Sequence, residues 1–225
     1  MKKIVMNSFF AIIMCFAFAA CDSGQNANNT NNDTNTESTD AMKSAEKAND
    51  EKEDNMETSS AGAEDYDFED AAEFAMKAAD GGMFEVEASK LAAQKASSTT
   101  VKNFAKKMVT DHTKTNNELK SLASKKNITL PATMSDDHKK KLDKLSGLTG
   151  ADFDEEYMEA MDKDHEKDVK LFEKAAEDDD LDAEIKAFAA KTLPTLRMHS
   201  EMADSGKEMA KKMDMDTIGI SKKNR

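Results

Sequence analysis

From residue 68 onward, apolar side chains recur every three or four positions, the spacing that places them on one face of an α-helix. The clearest stripe begins at Val101 and ends at Leu122. Similar stripes cover about residues 68–96, the region after Gly150, and the region after Leu181. The pattern therefore predicts four long amphipathic helices.

Local signals predict where these helices begin and end. Ser98 is a typical N-cap for the second helix, and Asn127 with Pro131 marks its exit. The third helix is expected to begin after Gly150 with Asp152 as its cap. A short additional helix, over about residues 136–145, is predicted in the connection between the second and third helices.

Glycine and proline predict two irregularities. Gly81 and Gly82 are expected to interrupt or kink the first helix. Pro194 is expected to kink or restart the fourth, because proline removes a backbone hydrogen bond.

Together these elements predict an all-α protein with a four-helix bundle over residues 67–215. The sequence of residues 101–105 resembles that of residues 185–189, at the entries of helices two and four. This repetition indicates two related helical hairpins. Only 8 glycines and 2 prolines occur in 225 residues, which argues against an all-β fold rich in tight turns. Residues 216–225 are expected to form a basic C-terminal tail.

The first twenty residues have the features of an export signal. Lys2 and Lys3 precede an apolar stretch that is too short to span a bilayer, and Ala19, Ala20 and Cys21 resemble a lipoprotein box. We expect residues 1–20 to be removed and Cys21 to carry lipid. That lipid would attach the protein to a membrane of the cell envelope, with the outer membrane favoured over the inner. Ordinary secretion after Ala20 is the alternative.

Residues 22–66 contain no Ile, Leu, Val or Phe, and carry 12 acidic side chains against 3 lysines. Such a segment has too little apolar area to offset the entropy of ordering, so a disordered tether is expected over residues 21–66. The tether holds most of the net charge of −13. This acidic balance argues against nucleic-acid binding, which requires clustered basic side chains.

Three histidines lie on the apolar stripes of three different helices, namely His112, His165 and His199. The first helix contributes Glu85 and Glu87. Helical bundles build metal sites from imidazoles and carboxylates that converge in the core. These five residues are therefore predicted to bind a metal ion, of the divalent transition-metal class, or another small ligand between the helices. Two alternatives stay open: the same side chains only hydrogen-bond inside a structural or partner-binding module, or they serve a metal-dependent enzyme.

An aspartate precedes two of these histidines, as Asp111 and Asp164. Adjacent residues point in different directions around a helix, so each aspartate is expected to support a histidine of another helix, for instance Asp164 supporting His112. His138, in a charged segment, is expected to be solvated.

No pattern in the chain predicts a reaction. The Glu-x-x-His motif of di-iron bundles is absent, because Val109, Asp162 and Leu196 stand three residues before the histidines. Phosphate-binding loops, dinucleotide fingerprints and nucleophile elbows are absent as well. The sequence favours a binding protein over an enzyme.

Several motifs together resemble DUF4142, a family of exported bacterial domains of unknown function. In chain order, they lie in residues 81–87, 101–112, 153–158, 164–166 and 193–199. The resemblance covers about residues 66–205 and implies a ferritin-like four-helix fold, with no established activity. The positions that match are Glu85, Glu87, Asp111, His112, Asp164, His165 and His199.

Overall fold

The computed structural model describes the backbone of residues 37–58 and 67–223, and side chains at residues 41–55 and 67–209. This part of the chain contains six helices: α1 (Glu37–Thr58), α2 (Phe68–Lys95), α3 (Thr99–Lys125), α4 (Asp136–Ser146), α5 (Gly150–Glu177) and α6 (Ala183–Lys223). The all-α prediction is confirmed. The predicted signal and Cys21 lie outside the described residues. Among the helices described, none is long and apolar enough to cross a membrane.

The four long helices pack as two hairpins. α2 packs along α3, and α5 packs along α6. Contacts of α2 with α5 and of α3 with α6 join the two hairpins, so each long helix has two long neighbours, as in a four-helix bundle. The predicted short helix is α4, which contacts α2 and α5.

Two apolar clusters form the core of the bundle. The Phe74 cluster also contains Phe172 and Phe188, and the Phe84 cluster contains Phe104 and Tyr157. The histidines lie between the two clusters along their helices. On α3, for example, Met108 of the Phe84 cluster precedes His112, and Leu119 of the Phe74 cluster follows it. The core therefore has a polar layer between two apolar ends.

The glycine pair of α2 does not interrupt the helix, which is continuous from Phe68 to Lys95. A Cβ atom at Gly82 would lie 2.1 Å from Asn116 Oδ1, and one at Gly81 would lie 3.4 Å from Asp168 Oδ1. Gly82 thus lets the Asn116 side chain of α3 approach the backbone of α2, whereas a Cβ atom at Gly81 would make an ordinary contact with Asp168.

Pro194 does not end or restart α6, which runs from Ala183 to Lys223. The proline lies at an exposed position, where water can bond the carbonyl that loses its helical partner. The helix also continues past residue 215, so the expected boundary between the domain and a basic tail does not coincide with the end of the helix.

The helix caps differ in detail from those expected. Ser98 is the N-cap residue of α3, but its side chain makes no capping bond. Asp154 of α5 holds the turn that leads into α3, because its carboxylate accepts hydrogen bonds from the backbone nitrogens of Ser97 (2.9 Å) and Ser98 (2.7 Å). The N-cap residue of α5 is Thr149, and Asp152 lies in the first turn.

Part of the predicted tether is an ordered helix, α1, and for residues 37–58 the expectation of disorder is wrong. Ala45 and Asn49 of α1 are buried. The Asn49 amide accepts from the backbone nitrogen of Thr129 and donates to its carbonyl, and Lys52 Nζ donates to Asn127 O. The helix docks through directed polar bonds as well as through buried Ala45, and its low apolar content did not predict these bonds.

Candidate metal centre

The three histidines of the bundle meet in the middle layer. Helices α3, α5 and α6 contribute His112, His165 and His199, and all three side chains are buried. His112 Nε2 lies 3.1 Å from His199 Nδ1 and 3.3 Å from His165 Nε2. One ring nitrogen from each residue lies within 4.8 Å of the other two. The predicted convergence of these three side chains is confirmed.

The remaining nitrogen of each ring has an oxygen partner. His112 Nδ1 lies 2.7 Å from Glu85 Oε2, and His199 Nε2 lies 2.9 Å from Asp111 Oδ2. His165 Nδ1 lies 2.8 Å from the carbonyl oxygen of Met161, which can only accept a hydrogen bond. The outer nitrogens therefore carry the hydrogens when the two carboxylates are ionised.

This arrangement has a consequence for the inner nitrogens. A neutral imidazole has one N–H and one lone pair, so His112 Nε2, His165 Nε2 and His199 Nδ1 all present lone pairs. Three acceptors at these distances repel one another unless a proton or a cation lies among them. The hydrogen bonds of the outer nitrogens thus prepare the inner ones as ligands, as in the carboxylate–histidine–metal arrangement of known metal sites.

Burial keeps the rings neutral. It lowers the pKa of His112 and of His199 to about 4, and it also lowers the pKa of His165. For His199 the neighbouring His112 acts in the same direction, while Asp111 opposes the shift. At neutral pH a metal ion would not have to displace a proton from an imidazolium at these rings.

The carboxylates occupy different places from those expected. Glu85 is buried and faces the outer nitrogens, with Oε1 also 3.2 Å from His165 Nδ1, so it positions two rings and does not join the inner nitrogens. Burial raises the pKa of Glu85 to about 7. Glu87 is exposed and pairs with Lys90 at 2.7 Å, so it lies outside the centre.

The two aspartates that precede histidines have separate roles. Asp111 supports His199 of another helix, and Lys107 lies 3.0 Å from the same Asp111 oxygen. Asp164 does not pair with His112. Its Oδ1 atom instead lies 2.5 Å from Lys141 Nζ of α4.

His138 is not solvated as expected. Its Nδ1 atom lies 2.9 Å from Asp80 Oδ2, and its ring stacks on Phe84 with the centroids 4.9 Å apart. This contact ties α4 to α2 and leaves His138 outside the histidine cluster.

One residue of the centre was not predicted from the sequence. Asp168, half-buried on α5, interacts with Glu85, and its pKa lies well above the usual value because of burial and then the charge of Glu85. A signal was available: Asp168 stands three residues after His165 and four before Phe172, on the same helical stripe.

The donor set fits a first-row transition metal. In a tetrahedral zinc site with Zn–N bonds of about 2.1 Å, two ligand nitrogens lie about 3.4 Å apart. The separations of 3.1 and 3.3 Å from His112 Nε2 are close to that value. Within the described residues no fourth His, Cys, Asp or Glu joins the cluster, so the three nitrogens leave one position for an exogenous ligand.

Comparison with known proteins supplies a family without an assigned function. No curated protein and no solved structure matches the chain significantly. A domain of unknown function, DUF4142, matches residues 55–205, which are more than half of the chain. The match begins eleven residues before the start of about residue 66 that the sequence motifs indicated. The protein belongs to the DUF4142 family.

Proposed function

We propose that this protein binds one divalent transition-metal ion through His112, His165 and His199. The observation that carries the proposal is that each ring has one nitrogen bonded to an oxygen acceptor, while the other nitrogen faces the two remaining rings. Zn²⁺, Co²⁺, Ni²⁺ and Cu²⁺ all accept imidazole ligands. We use Zn²⁺ and Co²⁺ as probes, because tetrahedral Co²⁺ has a visible spectrum.

Supporting residues shape the centre. Glu85 holds His112, and Asp111 holds His199, each by its outer nitrogen. Partners of this kind fix the ring orientation and the tautomer, and their loss typically weakens metal binding 10–100-fold. The Phe84 and Phe74 clusters enclose the layer from both sides and restrict water around the metal.

The open coordination position defines the activity that we propose. A site with three protein ligands takes a water molecule or another small ligand as its fourth, whereas purely structural zinc sites have four protein ligands. Because His165 and His199 are fully buried, the fourth ligand would be a water molecule or another small ligand held inside the bundle, and the proposed activity is metal binding.

The test is metal binding by the purified full chain. After treatment with a chelator, the wild type should bind one Zn²⁺ per chain in calorimetry and show tetrahedral Co²⁺ absorption bands. His165→Ala should weaken Zn²⁺ binding at least 100-fold. His199→Gln preserves more of the side-chain volume and should lose the same tetrahedral spectrum, which guards against an unfolded first variant.

The chain offers a matched control. His138→Ala removes a partly buried histidine with an aspartate partner outside the cluster, and should leave the Zn²⁺ affinity within twofold of the wild type. Equal affinity in the wild type and in both variants of the cluster would contradict the proposal. It would instead favour the alternative in which the three rings only hydrogen-bond with one another inside a structural or partner-binding module.

We further propose that the bundle is ferritin-like and acts in the cell envelope, held to the membrane through lipid on Cys21. The support for the lipid anchor is the motif Ala19-Ala20-Cys21 after a short apolar stretch. The support for the ferritin-like fold is the packing of the four long helices as two hairpins. Mass spectrometry of the N-terminal peptide should find acyl chains on Cys21, and Cys21→Ser should release the protein from the membrane fraction. An unmodified mature chain that starts at Cys21 would favour ordinary secretion, and fractionation would distinguish the outer from the inner membrane.

A further inference from the structure

A cavity of about 720 Å³ lies between α3 and α6, at the end of the bundle where α3 and α5 begin. Small-molecule sites in proteins have volumes of about 300–1,000 Å³. The inner wall is buried and apolar, and contains Val101 and Phe104 of α3 and Met158 of α5. Gly206 of α6 leaves room for the Met158 side chain, because a Cβ atom there would lie 2.3 Å from its terminal methyl carbon. Three helices thus enclose an apolar space large enough for a small molecule.

The outer part of the cavity is apolar as well. Met202 and Met209 of α6 line it, and they are 37 % and 57 % exposed. They are the only exposed large hydrophobic side chains in the part of the chain whose side chains are described. Exposed apolar groups in a concave place are typical of binding sites, and the flexible thioether chain of methionine adapts to the shape of a ligand.

The charged groups of the cavity do not favour an anion. Lys107 is the only cation among the lining residues, and its Nζ atom lies 3.0 Å from Asp111 Oδ2. Two carboxylates also line the cavity. That of Asp154 is bonded to the turn before α3, and that of Glu201 is exposed to water. The cavity therefore has an excess of negative charge and no unpaired cation.

We propose that this cavity binds a small, uncharged and largely apolar molecule. The body of the molecule would pack against Phe104 and the methionines, and would remove their apolar surface from water. The hydroxyl groups of Thr100 and Ser205 also line the cavity and can bond to a hydroxyl or carbonyl group of the ligand.

The cavity is separate from the histidine centre. None of the three histidines is among its lining residues, and the two places are connected through Phe104, whose ring lies edge-on to His199 with the centroids 6.3 Å apart. The proposal therefore goes beyond metal binding, and either proposal can fail without the other. His199→Gln should lose Zn²⁺ and keep the apolar ligand.

The test uses two dyes that differ by one charge. N-phenyl-1-naphthylamine is uncharged, and 8-anilinonaphthalene-1-sulfonate is the same ring system with a negative sulfonate. In detergent-free buffer, the fluorescence of the uncharged dye should rise on the purified full chain and saturate at one dye per chain. The Kd of the sulfonate should be at least fivefold higher.

A double variant removes the apolar outer part of the cavity. Met202→Ser with Met209→Ser should raise the Kd of the uncharged dye at least fivefold, because less apolar area is buried on binding. Both positions are exposed, so the helix content measured by circular dichroism should not change. Val109→Ser is the control, since it shortens a half-buried apolar side chain of α3 outside the cavity and should alter the Kd by less than twofold.

Methyl NMR of methionine locates the dye without a substitution in the cavity. The signals of Met158, Met202 and Met209 should shift on titration with the uncharged dye, and that of Met76, buried on α2 outside the cavity, should not. Shifts confined to other methionines, or equal Kd values for the wild type and the double variant, would overturn the proposal. Equal or tighter binding of the sulfonate would contradict the uncharged class of ligand.

Discussion

The same four helices build two different layers of the core, the Phe74 cluster and the histidine layer. In the Phe74 cluster, the ring of Phe74 lies 5.0 Å from that of Phe172 and 6.4 Å from that of Phe188. These contacts are dispersive and hydrophobic, and they depend on the volume that is filled more than on the direction of any group.

The histidine layer is equally buried, but its contacts depend on the direction in which each hydrogen-bonding group points. The outer nitrogen of each ring lies next to an oxygen atom, and Glu85 and Asp111 determine which nitrogen of His112 and of His199 keeps its lone pair. Burial there is unfavourable for charge, as the shifted pKa values of His112 and Glu85 indicate. The two kinds of layer therefore have different roles. The apolar clusters stabilise the fold, whereas the histidine layer contributes less stability and holds the ring nitrogens in defined orientations.

The largest effect that separates the two layers should come from Phe172→Ala. Phe172 is buried between two other phenylalanines, so its truncation should lower the free energy of unfolding by about 3–5 kcal/mol in urea titrations. The Zn²⁺ affinity of the folded fraction should be unchanged. Phe172→Leu, a smaller change, should lose less stability, and a loss of Zn²⁺ affinity in that variant would show that the layers are not independent.

Asp111→Asn should have the opposite effect, with weaker Zn²⁺ binding and nearly unchanged stability. The amide is a weaker acceptor for the N–H at His199 Nε2, so the tautomer that frees Nδ1 for metal should be less favoured. We expect Zn²⁺ affinity to fall 10–100-fold in calorimetry, with little change in the free energy of unfolding. Glu118→Gln, at an exposed ion pair on the same helix, is the control. A comparable loss of affinity in that control would argue for a general charge effect.

The pH dependence of the metal-free protein should reveal opposing contributions within the histidine layer. His112 and His199 have a pKa of about 4 when folded, below the ordinary 6.5, so the unfolded state binds more protons between these values. Their contribution to stability is lost as the pH falls from about 6.5 to 4. Glu85, with a pKa raised to about 7 from 4.5, binds its proton more tightly when folded and opposes this loss below pH 7.

Glu85→Gln should therefore steepen the pH profile. Between pH 6.5 and 4.5, the free energy of unfolding of the variant should fall more strongly with decreasing pH than that of the wild type, as measured by denaturant titrations at fixed ionic strength. Parallel profiles for the two proteins would contradict the assignment of opposing charges to this layer.

The smallest effect is expected at Glu87. Its carboxylate is exposed and pairs with Lys90, and surface pairs of this kind contribute about 0–1 kcal/mol. Glu87→Gln should leave the Zn²⁺ affinity unchanged and alter the free energy of unfolding by less than about 0.5 kcal/mol. Weaker Zn²⁺ binding in this variant would indicate that Glu87 is a metal ligand, as the sequence predicted, and would contradict its position on the surface.

Helix periodicity predicted the long helices well because the spacing of apolar residues is a local property. The stripe from Val101 to Leu122 lies within α3, and the same reasoning placed His112, His165 and His199 toward the core. The choice between Glu85 and Glu87 was beyond that reasoning, because both lie close to the apolar stripe and packing against α3 and α5 decides which one is buried.

Contacts between residues far apart in the sequence were not predicted either. Asp80 meets His138 across 58 positions of the chain, and Asn49 of α1 meets Thr129 across 80. A charged or amide side chain is stable either when water solvates it or when it pairs with another polar group of the protein. The amino-acid composition of a segment does not distinguish these two environments. For that reason the sequence indicated a solvated His138 and a disordered α1.

The sequence alone determined an all-α chain with three core-facing histidines on three helices, since both features follow from residue spacing along each helix. Only the tertiary structure decided which ring nitrogens converge, which carboxylates hold them, and that Asp168 joins Glu85. Those outcomes depend on the rotation and register of α2, α3, α5 and α6 against one another. That register is set by the packing of whole helices in the two apolar clusters and not by any local pattern.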